Sequence, residues 1–236
     1  EWVPIPRPTN YVLTPELVVS AIREHQPSIV ILCGPNNPTG TSLDLAVITA
    51  AYEAFDGMLV VDEAYHEFDS EHPSALTLLP GRHRLMVSRT MSKAFAFAGV
   101  RLGYLAADDA VVDALRLVRL PYHLSALTQA AAIAALRHST EMLRAVDDIR
   151  GQRDRLADEL ESLGYLVHPS GANFLLVGGF SDPAATFAAL RAEGILIRNL
   201  DIDGHLRLTA GTESETTQLI AAIRALGPGG ALSSPA

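Results

Sequence analysis

From Ser28 to Cys33 the chain reads Ser-Ile-Val-Ile-Leu-Cys, an apolar run closed by Gly34-Pro35. A run this short, rich in β-branched residues and cut off by turn formers, predicts a buried strand. The same reading gives strands at 58–61, 85–88 and 102–106, with Asp62 just past the second. Ser42 is a candidate cap for a helix reaching about Phe55. Apolar strands separated by helices predict a mostly parallel sheet covered on both faces. After an Ala-rich helix over Ser125–Arg137 the pattern changes. Met142, Val146, Ile149, Arg153, Leu156, Leu160 and Leu163 recur at helical spacing, which predicts one long amphipathic helix stopped by Gly164. Beyond it the pattern gives strands near 173–177, 195–197 and 205–209 and helices near 183–193 and 213–226. The expectation is an α/β chain. Residues 1–137 form a large domain around a mostly parallel sheet, 138–227 form a small α+β domain, and the Gly/Pro-rich stretch 228–236 is a flexible tail.

Composition narrows the partners. The chain has 236 residues, 48% of them hydrophobic, enough to bury a core in two modest domains. A net charge of -9 without clustered Lys or Arg argues against nucleic acid. No uninterrupted apolar stretch is long enough to span a membrane. Cys33 is the only cysteine, which excludes an internal disulfide and fits a reducing cytoplasm.

In open α/β sheets, ligands bind beyond the carboxyl ends of the strands. Asn37, Asp62 and the segment Thr90-Met91-Ser92-Lys93 all fall at such ends. Lys93 is an amine able to attack an aldehyde once it has lost its proton. Asp62 is an acid able to face a ring nitrogen. Thr90 and Ser92 offer hydroxyls, and Arg101 offers a guanidinium that binds two phosphate oxygens at once. Together these are the groups a pyridoxal phosphate site needs: a Schiff-base lysine and a charge partner for the pyridine nitrogen. Each also has an ordinary reading. Asn37-Pro38 and Thr39-Gly40 are turn formers, Tyr65 suits a core, and Thr90 has many uses at a strand end. His66-Glu67-Phe68-Asp69-Ser70 lacks the second histidine of a zinc helix, and the other histidines are scattered, so no metal is expected.

The order Asn37-Pro38-Thr39-Gly40, Asp62-Glu63-Ala64-Tyr65, Thr90-Met91-Ser92-Lys93, Arg101 and Arg207 resembles the aminotransferase superfamily of fold-type I pyridoxal phosphate enzymes. The wording of Ala94-Phe95 after the lysine and of Ala172-Asn173-Phe174 is closest to the histidinol-phosphate aminotransferase family. The likeness runs from residue 1 to about 226. It implies that Lys93, Asp62 and Tyr65 are catalytic, and that Asn37 and Tyr65 donate to the ring oxygen. Thr90, Ser92 and Arg101 would hold the cofactor phosphate. Arg207, Arg198, Asn173 and Asn37 would form the substrate pocket. It further implies L-histidinol phosphate and 2-oxoglutarate as substrates, histidine biosynthesis as the setting, and a homodimer. Family members are longer, and the resemblance places this chain as their C-terminal two-thirds. An aromatic aminotransferase or a related decarboxylase shares this frame, and a truncated, non-catalytic binding partner is the reading from a different class.

Overall fold

The computed structural model describes residues 1–227, so the tail read at 228–236 lies outside the described residues. The chain divides into two compact units. One comprises Glu1–Asn36 and Ser42–Leu143; the other comprises Asn37–Thr41 and the chain from Arg144 onward.

The first unit is built on β1 (Ile29–Cys33), β2 (Met58–Asp62), β3 (Leu85–Thr90) and β4 (Gly103–Ala107), in that spatial order. The first three are parallel and β4 runs antiparallel to β3. Asp62 is therefore the last residue of β2, and β3 runs two residues further than its apolar core, to Thr90. Leu32, Leu59, Val61, Leu85 and Val87 pack on one face against Val18 and Ile22 of α1 (Pro15–His25) and against Val47, Ile48 and Ala51 of α2 (Leu45–Glu53). Thr14 and Pro15 start α1: the threonine accepts from Leu17 N and the proline pre-sets the first turn. The cap of α2 is Asp44, whose carboxylate accepts from Ala46 N at 2.8 Å. Ser42 is not that cap. It lies before Leu43, which is buried against Gly34 while the chain is still extended. The expected cover on both faces is found on one. Ile29 and Ile31, on the face opposite the core, remain 57% and 48% exposed, because no element of the described residues lies over them. The unit also contains α3 (Asp109–Val118) and α4 (Ala126–Arg137), the latter capped by Ser125.

The long helix, α5 (Ser139–Ser162), begins three residues before its first apolar marker and ends ahead of Gly164, whose φ is +88°. After it come β5 (Leu166–Val167), β6 (Phe174–Gly178), α6 (Pro183–Ala192), β7 (His205–Thr209) and α7 (Glu213–Leu226). The strands form an antiparallel sheet in the order β5-β6-β7. Leu175, Val177, Leu206 and Leu208 project from one face into a core with Leu156 and Leu160 of α5, Leu190 of α6 and Leu219 and Ile223 of α7. Residues 195–197 are not a strand. They follow Gly194 at φ +80°, and the chain meets β7 only at Arg198, which exchanges two backbone hydrogen bonds with Arg207 at 3.0 and 2.9 Å. Thr212 and Glu215 start α7 with a reciprocal capping box, as a Thr-x-x-Glu sequence predicts.

On the other face of this sheet, His168 Nε2 lies 3.1 Å from His205 Nε2. His205 Nδ1 is 2.6 Å from the Asp203 carbonyl, which can only accept. His205 therefore carries its proton on Nδ1, and His168 donates from Nε2. Burial, reinforced by His205 alongside, pushes His168 below the ordinary histidine range. The unfolded chain then binds this proton more readily than the folded one. The contribution is complete above the unfolded pKa of about 6.5, begins to be lost as pH falls below that value, and is gone once pH has fallen through the lower folded pKa. Chemical denaturation of wild type and His168→Gln should show the wild type losing more stability between pH ~7.5 and ~5.5, since the amide keeps the donor but cannot take the proton.

Candidate active site

In the first unit the neighbouring parallel strands β2 and β3 end at Asp62 and Thr90, with Asp62 paired in register to Ser88. Asp62 is half-buried, and its Oδ1 accepts from Ala64 N at 3.0 Å, which turns the chain toward Tyr65. Tyr65 is 7% exposed, and Lys93 Nζ stands 5.1 Å from the centre of its ring. Lys93 itself is exposed.

The loop that carries the lysine is pinned from within. Met91 N donates to Leu102 O at 3.1 Å and Phe97 N to Met91 O at 3.0 Å. The Thr90 hydroxyl donates to Leu102 O and accepts from Ser92 N, so it is engaged in shaping the loop. Met91 packs with Ala132 and Ala135 of α4, joined by Phe95, Phe97 and Leu102. Ala96 and Arg101 are left-handed, with φ of +54° and +57°. Such residues cost roughly 1–3 kcal/mol each and persist where their surroundings over-determine them, which the apolar anchor and the loop bonds do here. Arg101 is exposed, and its Nη1 donates to Ala98 O at 3.0 Å. Ser92 is half-buried between the anchor and the lysine.

The second unit gathers Asn37, Asn173, Arg198 and Arg207. Arg207 Nη1 donates to Asn37 Oδ1 at 2.6 Å, and its guanidinium lies 4.7 Å above the centre of the Phe174 ring. With Oδ1 accepting, the Asn37 amide nitrogen is the end left to donate elsewhere. Arg198 is exposed beside Arg207 on the shared backbone bridge. Asn173 directly precedes β6, its carbonyl accepting from Ala210 N at 3.0 Å. The Asn37–Thr41 segment is fixed by Gly171 N donating to Gly40 O at 2.9 Å and by the buried Thr39–Thr41 hydroxyl pair at 2.7 Å. The sequence pattern named Asn173 but passed over Phe174 as a platform for Arg207; the adjacency of an aromatic to the strand start was the available signal. Among the described residues, no group of three or more His, Cys, Asp or Glu is placed to hold a metal ion, and no helix is long and apolar enough to cross a membrane.

With this arrangement in view, the chain belongs to the aminotransferase class I and II family, whose pattern matches residues 1–223. It is similar to histidinol-phosphate aminotransferase of Paenarthrobacter aurescens (strain TC1), 53% identical over 230 residues that cover 96% of this chain and 62% of that protein. It is also similar to histidinol-phosphate aminotransferase of Thermobifida fusca (strain YX), 54% identical over 216 residues, 91% of this chain and 59% of that one. The chain thus spans about three-fifths of the length of these curated relatives. Among solved structures it is similar to histidinol-phosphate aminotransferase from Sinorhizobium meliloti in complex with pyridoxal-5'-phosphate. That match has a TM-score of 0.83 at 27% identity and covers 95% of this chain and 65% of that one. The fold-type I frame and the histidinol-phosphate resemblance inferred from the motifs are both borne out.

Gly40 offers a test of how tightly the Asn37 turn is held. Its φ is +78°, and a Cβ there would run into the Ser170 side chain, whose hydroxyl is committed to Phe174 O at 2.6 Å. Gly81 has a similar φ of +76° with nothing within 4 Å of a Cβ. Gly81→Ala should cost only the backbone penalty, roughly 1–2 kcal/mol. Gly40→Ala should cost clearly more, with both read from urea midpoints.

Proposed function

We propose that the protein is a pyridoxal phosphate-dependent aminotransferase that moves the amino group of L-histidinol phosphate to 2-oxoglutarate, in histidine biosynthesis. The observation that carries the cofactor reading is the delivery of Asp62 and the Thr90–Lys93 loop by the ends of adjacent parallel strands, with the lysine amine beside the Tyr65 ring. The donor set fits the group: an exposed amine, an acid at a strand end, a buried tyrosine, and a serine and an arginine on one pinned loop. The names of the curated relatives support the choice of histidinol phosphate.

When bound, pyridoxal phosphate supplies an electron sink for the substrate's carbanion. The chain's own residues do the rest. Lys93 is the residue that would hold the cofactor, and as a free amine it takes the proton from the substrate Cα, which is general base work. Asp62 keeps the ring nitrogen protonated through its carboxylate. Tyr65 donates a hydrogen bond to the ring oxygen, a role we give also to the Asn37 amide. Ser92 and Arg101 hold the phosphate, with Thr90 shaping the loop that presents them. Arg207, stacked on Phe174 and oriented by Asn37, takes the substrate's acid group, Arg198 adds the second guanidinium a phosphate can use, and Asn173 helps to set the pocket. With this activity we propose a cytoplasmic homodimer. The single cysteine is in keeping with the compartment, and the family resemblance implies the dimer.

Two experiments test the reading. Borohydride treatment of the holoenzyme followed by peptide mapping should place a pyridoxyl group on Lys93. Lys93 is the only lysine in the sequence, so a peptide map without label on it would overturn the cofactor assignment; Asp62→Asn should retain cofactor and lose most turnover. In the substrate test, single-turnover rates would be measured separately with histidinol phosphate and with glutamate. A hydrogen bond to a charged group is worth roughly 1.5–3 kcal/mol, so losing one should weaken a substrate by roughly 10- to 100-fold. Arg207→Ala should impair both half-reactions and Arg198→Ala mainly that of histidinol phosphate. Equal losses in Arg198→Ala would remove its phosphate-specific role, and a wild-type preference for phenylalanine or tyrosine would move the enzyme to the aromatic aminotransferases.

A further inference from the structure

Glu63 and Arg89 adjoin Asp62 and Thr90 in sequence but face the other way. Side chains alternate along extended backbone, and Glu63 N continues the β2–β3 ladder by donating to Ser88 O at 3.0 Å. Asp62, Ser88 and Thr90 therefore share one face. Glu63 and Arg89 lie on the opposite one, in line with the core residues Val61 and Val87. On that side Arg89 donates from Nε to Glu63 Oε2 at 2.8 Å, from Nη1 to Glu67 Oε1 at 2.9 Å and from Nη2 to Ser74 Oγ at 2.9 Å. Ser74 donates to Glu63 Oε2 at 2.7 Å, and Ala75 N donates to Glu63 Oε1 at 2.6 Å. The side chains of Glu63, Arg89 and Glu67 are only 4%, 9% and 11% exposed, and Glu67 Oε2 is buried without a hydrogen-bond partner.

A buried arginine between two carboxylates is a poor device for stability alone. Desolvation offsets much of the attraction, and apolar replacements of similar volume are often as stable. What such a network does supply is direction: the guanidinium fork fixes where each partner stands. We propose that Glu63, Arg89, Glu67 and Ser74 act as positioning residues for the cofactor site, locking the ends of β2 and β3 from behind so that Asp62 and the Thr90–Lys93 loop keep a fixed spacing and aim. Lys93 is exposed and receives no such constraint from burial of its own side chain. This inference rests on the pyridoxal phosphate reading above.

The test uses Arg89→Lys, which keeps the charge and loses the fork, and Glu63→Gln, which keeps one acceptor oxygen for Ala75 N and loses the ion pair. Amide hydrogen exchange on the cofactor-free protein should show segments 62–65 and 88–93 exchanging roughly tenfold faster in either variant, with β1 and the second unit unchanged. In the holoenzyme, cofactor affinity should fall by roughly tenfold and the pH midpoint of the cofactor's visible absorption should move. Faster exchange spread evenly over the chain, or a local change with cofactor affinity and midpoint unaltered, would reduce the cluster to ordinary structural support. If the wild type holds no cofactor at Lys93, it is the cofactor reading that fails, and the exchange pattern still decides whether the cluster fixes the two strand ends.

Discussion

The hydrogen-bonded register between β2 and β3 is the constraint from which the first unit's chemistry follows. Pairing Asp62 with Ser88 brings two strand ends to one level. Every chemical group of that unit hangs from them: the acid on the last residue of one strand, and the hydroxyls, the amine and the arginine on the loop leaving the other. Because side chains alternate, a slip of one residue would send Asp62 into the apolar core and Val61 to the ligand side. The core residues Leu59, Val61, Leu85 and Val87 forbid that slip, since each would exchange burial for exposure. The hydrophobic pattern thus places the face that carries Asp62, Ser88 and Thr90 by excluding it from the core.

The second unit solves a different problem, which is holding positive charge at fixed points with little burial. The contacts that fix Arg207 include a backbone bridge to Arg198, a hydrogen bond to Asn37 and the face of Phe174. The Asn37 amide orients the arginine without itself cancelling its charge, which a carboxylate at that position would do.

Much of this was legible in the sequence, for identifiable reasons. Runs such as Ile29–Cys33 and Met58–Val61 are short, apolar and bounded by turn formers, so their strands were visible. The placement of Asp62 and the Thr90–Lys93 loop at neighbouring strand ends was visible because apolar runs lead directly into them. Four features stayed hidden. Asp44 displaced Ser42 as a cap because Leu43 is drawn into the core first, a tertiary effect. Residues 195–197 carry apolar side chains yet form no strand, and only Arg198 after them bridges to β7, because pairing depends on where β7 passes. The cover on the far face of β1 was inferred from an apolar run on both sides, but Ile29 and Ile31 meet no element among the described residues. The Glu63–Arg89 contact was equally invisible, since it joins residues 26 positions apart that only strand register brings together.

The short insertion of Asn37–Thr41 into the second unit has a consequence for how the chain folds. The bond between Arg207 and Asn37 spans 170 positions, and the turn also contacts Gly171 through Gly40. The second unit is therefore not a local structure that forms from its own continuous stretch. Its completion waits on closure of a very long loop, and contacts of such sequence separation slow folding because their entropy must be lost before any bond rewards it. During synthesis the turn emerges well before Arg207, and the bond between them cannot form until β7 has left the ribosome. The folding order along this stretch is in that sense retrograde: a later strand secures an earlier turn.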